Sequence, residues 1–381
     1  MKNKAKSVLS LILIIGLSLV GCQDNKKDKQ EDNLVKVGGL FSLSGGASAY
    51  GEDLKNGTLL AFDELNANKQ KYQLLLRDTK TEKNEAVKSF EDLVNMNKGV
   101  VILGPTISPN ALILGKYADQ YKVPLIVQAA TQDEITDGRK YVSRICFNDS
   151  FQGKALADFA LNDLKKVKAV VIYDKSISYS VGLAKSFVEN YKKNGGEIIS
   201  EESYSVKDRD FRSLIDKVST YDADILFIPG WDENVGPMLR QSGDKWDKFV
   251  ILGGDGFPTD KMFELSGKNL KNVYALGHFN PVSDDSKVKA FIKKYAEKYK
   301  KNPTPHAALG YDAAYVLDKV VNSIKGEVTP EKINEGLKAL HSIDLITGKV
   351  IFKPDGTVQK NGVILKLTPE GYEFVKIAKA Q

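Results

Sequence analysis

The sequence predicts an α/β protein of two doubly wound lobes, each built around a parallel sheet. Short β-rich runs alternate with segments whose apolar residues recur at helical spacing, which is the pattern of βαβ units. The chain has 381 residues and is 42% apolar. Because single cores stop growing at roughly 250 to 300 residues, a chain of this length favours two of them.

The elements of this pattern follow one another from Leu34 onward. We expect strands at 35–43, 72–77, 100–103, 124–127, 169–173, 225–229 and 249–252. Between them we expect helices near 52–66, 85–96, 110–121, 151–165, 181–194, 211–220 and 233–242. The tail departs from alternation, with helices at 286–299, 307–323 and 330–340 before strands at 348–352, 362–368 and 374–377. On the first helix, the apolar stripe through Leu54 and Ala61 predicts the buried face and leaves Asp53 and Glu64 toward water.

The amino-terminal segment has the features of an export signal. A lysine-rich start precedes an apolar stretch from Val8 to Val20, which is too short for an ordinary spanning helix. The stretch ends in Leu19-Val-Gly-Cys22, which resembles the bacterial lipobox, where the cysteine thiol receives a diacylglyceryl group. We therefore expect residues 1–21 to be a signal peptide and 22–33 to be a lipidated Cys22 with a polar, disordered tether. Two acyl chains anchor stably, so the expected location is the extracytoplasmic face of the cell membrane.

Net charge and cysteine content argue against a nucleic-acid-binding protein and against a disulfide-stabilised one. The net charge of +6 falls by half when Lys2, Lys4 and Lys6 leave with the signal peptide, which is too small a surplus for a nucleic-acid partner. Once Cys22 is lipidated, only Cys146 is left, so no intrachain disulfide can form. Cys146 lies in an apolar-alternating run and is expected to be a buried strand thiol.

The residues just after each strand are the candidates for a binding site, because ligands of open parallel sheets bind beyond the carboxyl ends of the strands. In the first half, hydroxyl groups follow the strands at the starts of helices. The three segments are Ser42-Leu-Ser-Gly-Gly-Ala-Ser-Ala-Tyr50, Gly104-Pro-Thr-Ile-Ser108 and Gln128-Ala-Ala-Thr131. Hydroxyls and N–H groups at a helix start favour a carboxylate. Serine and threonine also cap helices there, so a plain cap is the alternative for each.

The second half offers groups for the opposite charge. Its segments are Asp174-Lys-Ser-Ile-Ser-Tyr179, Gly230-Trp-Asp232 and Gly253-Gly-Asp-Gly-Phe257. They could hold an ammonium and an apolar side chain. Asp255 lies between two glycines and could be approached closely by a ligand, although an Asp-Gly turn would look the same.

These segments carry a resemblance that covers the chain from about Val35 to its end. The sequence looks like the type I periplasmic-binding-protein family, specifically the branched-chain amino-acid-binding group. The matching pieces, in the family's order, are Lys36-Val-Gly-Gly-Leu-Phe-Ser-Leu-Ser-Gly45, Tyr50-Gly51, Ile102-Leu-Gly-Pro105, Phe151-Gln-Gly-Lys-Ala-Leu-Ala157, Phe227-Ile-Pro-Gly230, Gly253-Gly-Asp-Gly256 and Ala307-Ala-Leu-Gly-Tyr-Asp312.

The resemblance implies discontinuous lobes joined by a three-crossing hinge. The crossings are expected near 147–151, 278–282 and 352–356. The amino-terminal lobe would then comprise 34–148 and 281–353, and the carboxy-terminal lobe 149–280 and 354–381. A ligand that contacts both lobes favours the closed state.

The resemblance also implies roles for individual residues. Ser108 and Thr131, with the amide at Ala129, would hold the α-carboxylate of an amino acid. Tyr179 and Asp255 would receive its α-ammonium.

Two aromatic residues would complete this ligand site. Tyr50 and Trp231 match family positions that contact the ligand's side chain or close over it.

The predicted function is therefore an extracytoplasmic solute-binding lipoprotein, a monomer that captures an amino acid, with Leu, Ile or Val favoured, and passes it to an ABC transporter permease. Two alternatives are a ligand-sensing domain of a receptor and binding of another solute, such as another amino acid, an amide or urea. Enzymatic activity is not expected, because no catalytic fingerprint is present. A metal or other cofactor is not expected either, since His278, His306 and His341 have no ligand spacing.

Overall fold

The computed structural model describes residues 34–267 and 269–380. The expected signal peptide, the lipidation site Cys22 and the tether lie outside these ranges. Within them, no helix combines the length and the apolar character needed to cross a membrane.

Fifteen strands and eleven α-helices are assigned within the described residues. The strands are β1 (Val35–Phe41), β2 (Tyr72–Asp78), β3 (Val101–Leu103), β4 (Leu125–Val127), β5 (Val142–Arg144), β6 (Lys168–Asp174), β7 (Glu197–Tyr204), β8 (Ile225–Phe227), β9 (Val250–Gly253), β10 (Val273–Gly277), β11 (Ser342–Leu345), β12 (Gly348–Phe352), β13 (Val358–Lys360), β14 (Gly362–Thr368) and β15 (Gly371–Ala378). The helices are α1 (Ser48–Asn66), α2 (Lys83–Glu91), α3 (Ser108–Tyr121), α4 (Asp149–Asp158), α5 (Ser178–Lys193), α6 (Arg212–Ser219), α7 (Asp232–Ser242), α8 (Asp260–Ser266), α9 (Ser286–Tyr299), α10 (Pro305–Ser323) and α11 (Pro330–Ala339).

The strands form two main sheets, which confirms the predicted α/β class with two lobes. The first sheet has the order β2-β1-β3-β4-β5 and is parallel throughout. The second has the order β15-β14-β10-β9-β8-β6-β7, in which β14 and β15 run antiparallel to their neighbours. The central strands are buried nearly without interruption, as expected for parallel strands covered by helices on both faces.

The tail helices return to the first sheet. Side chains of α9, α10 and α11 share one apolar core with β1 and α1, and the small sheet β11-β12-β13 adds to it. We call this assembly the first lobe, and the second sheet with α4 to α8 the second lobe. Of the 19 residues of α10, 14 are buried because the helix lies between α1 and the small sheet.

Helices α1 and α10 approach each other at backbone distance. A Cβ atom added at Gly57 would stand 1.8 Å from the carbonyl oxygen of Ala307. One added at Gly310 would stand 2.1 Å from the carbonyl oxygen of Leu54. Glycine at both positions therefore permits this contact, which sets the position of the amino-terminal ends of both helices.

The prediction for Asp53 is wrong. Its side chain is only 2% exposed and accepts hydrogen bonds from Thr304 Oγ1 and Lys301 Nζ, both at 2.8 Å. Glu64 is also covered in part, and accepts from the hydroxyl of Tyr311 at 3.0 Å. The tail helices pack over this side of α1, so one helix's periodicity could not reveal that both of its faces are covered.

Two further positions differ from expectation. Cys146 is fully buried and free, but it lies two residues beyond β5, where its Sγ contacts the carbonyl oxygen of Ala130 at 3.3 Å. The third crossing lies between β13 and β14, after the expected range 352–356. The reason is that β13 still pairs with β12 in the first lobe. Strand β13 has only three residues, which is too short for a recognisable strand pattern in the sequence.

Strands β7, β10, β11 and β13 and helix α8 were not predicted. Strand β7 is an edge strand whose sequence is rich in serine and glutamate, so it lacks the apolar run of a central strand. Strand β10 and helix α8 are short, at five and seven residues, and periodicity is weak over such lengths.

Candidate functional site

A small cavity lies between the carboxyl ends of the two sheets. Its empty space is about 310 Å³, including the opening to solvent. All seven predicted ligand residues line it: Tyr50, Ser108, Ala129, Thr131, Tyr179, Trp231 and Asp255. The other lining residues are Thr106, Ile107, Ala130, Gly256 and His306. Each lobe provides part of the wall because both sheets end here.

The first lobe presents the start of a helix and a polar loop. Ser108 is the first residue of α3, a helix of 14 residues whose dipole directs its positive end at the cavity. Ser108 Oγ accepts a hydrogen bond of 3.3 Å from the amide of Gln132, which joins the helix start to the loop after β4. This wall therefore favours an anionic group.

A buried arginine fixes that loop. The guanidinium of Arg144 donates to the carbonyl oxygens of Thr131, Gln132 and Asp133 at 3.0, 2.8 and 3.1 Å. Three carbonyls held by one rigid planar group leave the loop little freedom. Thr131 and Ala129 are thereby held at the cavity wall.

The second lobe presents a carboxylate. Asp255, in the loop after β9, is 3% exposed. Its Oδ1 accepts from Tyr179 Oη at 3.0 Å and from Gln152 Nε2 at 3.1 Å, and Gln152 Oε1 accepts from the Asp255 amide at 3.0 Å. Its Oδ2 lies 3.1 Å from His278 Nε2. Both carboxylate oxygens of Asp255 therefore have hydrogen-bond partners.

This carboxylate is a buried anion surrounded by neutral donors. Burial raises the pKa of Asp255, but the hydrogen bond from His278, the positive charges of His278 and His306 when they are protonated, and the hydrogen bond from Tyr179 together outweigh burial and hold that pKa below its usual value. Burial lowers the pKa of His278 to about 4, so at pH 7 the imidazole is neutral and acts through its hydrogen bond. Burial and the charge of Asp255 raise the pKa of Asp149 nearby. A cation that enters the cavity would supply the counter-charge that this buried carboxylate requires.

Tyr50 connects the lobes directly. Its hydroxyl donates to the carbonyl oxygen of Gly256 and accepts from the amide of Asp232, both at 2.8 Å. Burial, first of all, raises the pKa of Tyr50 well above its ordinary value, so the hydroxyl stays protonated and can donate. A first-lobe side chain thereby satisfies two backbone groups of the second lobe.

Sequence reasoning missed three residues of this site. His306, in the first turn of α10, lines the cavity with its ring 4.9 Å from that of Tyr50, and burial lowers its pKa. Gln152 and His278 hold Asp255 from behind. No local sequence pattern could have revealed these three residues, because the side chains that they contact lie far from them along the chain.

Comparisons with known proteins identify the family and the fold of this chain. Residues 34–372 match the family model described as periplasmic binding protein. The isoleucine complex of LivJ, the branched-chain amino acid transporter substrate binding protein of Streptococcus pneumoniae, is 31% identical, with a TM-score of 0.84 over 90% of this chain and 99% of that one. The leucine binding protein LivK of Thermotoga maritima is 29% identical, with a TM-score of 0.85 over 91% of this chain and 99% of that one.

A third structure shares the fold at lower identity. The solute binding protein of an ABC transporter from R. palustris, in complex with benzoate, is 21% identical, with a TM-score of 0.83 over 91% of this chain and 97% of that one. The R. palustris protein and LivJ thus hold different carboxylate ligands, benzoate and isoleucine, in the same fold. Since the family model spans nearly all of the described residues, the chain belongs to the periplasmic binding protein family, with the two-lobed fold of its type I members.

Proposed function

We propose that this protein captures a free amino acid with an aliphatic side chain, such as leucine, isoleucine or valine, and delivers it to an ABC importer. The observation that carries the proposal is the position of Asp255, a buried carboxylate that faces the start of α3 across a small cavity. An anionic wall opposite an anion-favouring wall matches the two ends of a zwitterion.

The energetics favour a ligand with both charges. A zwitterion that enters a closed cleft loses its hydration, so each charged end needs a partner. Asp255 and Tyr179 would receive the ammonium, while Ser108, Thr131 and the amide at Ala129 would hold the carboxylate. A carboxylate without an amine would leave Asp255 buried without a counter-charge.

The remaining walls suit an apolar side chain of modest size. Trp231, Tyr50 and Ile107 pack together at one side of the cavity.

The proposed place of action is the outer face of the cell membrane. The lipobox-like motif ending in Cys22 supports a lipid anchor, and the polar residues after it would let the monomeric binding domain reach the permease. The family's solute-binding role supports transport over catalysis.

Binding should be visible as thermal stabilisation. Leucine, isoleucine or valine at 100 times its dissociation constant is expected to add about 2.7 kcal/mol to the free energy of unfolding. Differential scanning fluorimetry with the twenty amino acids, urea and benzoate, followed by titration calorimetry on the hits, would rank the ligands. Benzoate, which lacks an ammonium, is expected to give no shift. Absence of a shift with every amino acid would refute the proposal.

Closure should depend on the Tyr50 hydroxyl. Tyr50→Phe leaves the Gly256 carbonyl and the Asp232 amide without their partner, and each buried unsatisfied group costs about 1 to 3 kcal/mol. We expect leucine affinity to fall ~10-fold or more, and small-angle scattering to show a larger radius of gyration at matched leucine concentration. Tyr117→Phe is the control, since Tyr117 makes its recorded contacts through its ring. Equal affinities of the two variants would contradict the role.

A further inference from the structure

A buried titratable side chain lies in, or directly next to, each of the three segments that pass between the lobes. Cys146 lies in the first segment, His278 follows β10 in the second, and Lys360 ends β13 directly before the third. All three are buried, with exposed fractions of 0%, 0% and 2%. We call these residues the hinge cluster. None of them belongs to the cavity wall described above.

His278 joins the hinge to the binding site. Its ring stacks on that of Phe147 in the first crossing segment, with centroids 3.7 Å apart and planes 21° apart. Its Nε2 lies 3.1 Å from Asp255 Oδ2. The imidazole therefore touches a hinge segment on one side and the binding carboxylate on the other.

The two oxygens of Asp255 are held unequally. Oδ1 accepts from both Tyr179 and Gln152. For Oδ2, the recorded partner among the described residues is His278. Without the His278 donor, Oδ2 would have no hydrogen-bond partner among the described residues, and the carboxylate could turn about its Cβ–Cγ bond.

The surroundings select one tautomer of His278. Within the described ranges its Nδ1 is buried and has no hydrogen-bond partner. A carboxylate accepts hydrogen bonds and cannot donate them, so Nε2 must carry the hydrogen. A second proton would place an unsatisfied N–H at Nδ1, in a site that the charge of Lys360 also makes less favourable for a cation.

We infer that His278 is a positioning residue for ligand binding: as the neutral Nε2–H tautomer it fixes Oδ2 of Asp255, and it links that carboxylate to the hinge through its stack on Phe147. This inference rests on the proposed function, since the group that Asp255 would receive is the ligand's ammonium. The counterpart on the other side is Gln152, which fixes Oδ1 and the Asp255 amide.

Three substitutions separate the hydrogen bond from packing. The side-chain nitrogen of His278→Gln can reach the position of Nε2, whereas that of His278→Asn reaches only the position of Nδ1. His278→Phe keeps a ring against Phe147 and removes the donor. With leucine as probe in titration calorimetry, we expect ~10-fold or greater loss of affinity for the Phe and Asn variants, as for one hydrogen bond to a charged group. The Gln variant should regain most of that loss.

A spectroscopic measurement tests the tautomer without any ligand. The protein has three histidines, so a ¹⁵N-histidine spectrum of the ligand-free protein is simple, and the signals absent from His278→Gln identify His278. We expect a protonated Nε2 and an unprotonated Nδ1 at pH 7. A protonated Nδ1, or equal leucine affinities for the wild type and His278→Phe, would overturn the inference.

These outcomes are distinct from failure of the proposed function. If the wild-type protein binds none of the twenty amino acids, the proposed ligand class is wrong, and the ¹⁵N spectrum still decides whether His278 donates to Asp255. If the wild type binds leucine and the Gln and Asn variants lose affinity equally, packing explains the effect and the positioning role is refuted.

Discussion

Asp255→Ala is expected to lower the affinity for leucine by about 2 to 5 kcal/mol, which is roughly 30-fold to several thousand-fold. The substitution removes the anion that would pair with the ammonium, and the ligand's charge would be buried without a partner. Asp255→Asn keeps the shape of the side chain and should lose affinity to a similar extent. Titration calorimetry measures both.

The ligand-free variants should remain folded. The pKa of Asp255 lies below its usual value, so the ionised carboxylate stabilises the folded protein at pH 7, and Asp255→Asn is expected to lower the melting temperature of the empty protein modestly without unfolding it. The control is Asp222→Asn, because the Asp222 side chain is 93% exposed and its ion-pair partner among the described residues is Lys168, on the surface of the same lobe. Unchanged leucine affinity in Asp255→Asn would remove the residue from the proposed mechanism.

The second large effect is expected at the contact between α1 and α10. In Gly57→Ala the new Cβ would stand 1.8 Å from the Ala307 carbonyl oxygen, and a backbone atom of a packed helix cannot move aside cheaply. We expect the free energy of unfolding to fall by about 1 to 3 kcal/mol, or more if the helices separate. Denaturant unfolding, followed by circular dichroism, gives this value.

A matched substitution should have the opposite sign. Gly115 is also helical, but a Cβ added there would meet side-chain atoms at 3.5 Å, which is ordinary contact distance. Gly115→Ala is therefore expected to stabilise by up to about 1 kcal/mol through the higher helix propensity of alanine. If Gly57→Ala is as stable as Gly115→Ala, the helices do not pack at backbone distance.

Loss of the α1–α10 contact should also impair the site. Tyr50 lies in the first turn of α1 and His306 in the first turn of α10, and their rings meet at the cavity. Gly57→Ala is thus expected to weaken leucine binding even under conditions where the protein remains folded. Two glycines outside the cavity wall position part of that wall.

The sequence by itself determined the α/β class, the two lobes and the segments that meet at the cavity. The class and the segments follow from local patterns: apolar periodicity marks strands and helices, and parallel strands bring the residues at their carboxyl ends to one edge of a sheet. The individual ligand residues within those segments were assigned from the resemblance to a known family. The segments containing Ser108, Thr131 and Asp255 could therefore be placed together, even though the chain separates them widely.

Only the tertiary structure decided what surrounds those residues. Asp53 is buried because α10 and its neighbours return to cover α1, and His278 and Gln152 support Asp255 because the second crossing and α4 pack behind it. The third crossing lies later than expected because a three-residue strand stays paired in the first lobe. Such contacts join elements that are far apart in the sequence. Their geometry depends on how whole helices and sheets pack against one another, and local hydrophobic periodicity does not predict that packing.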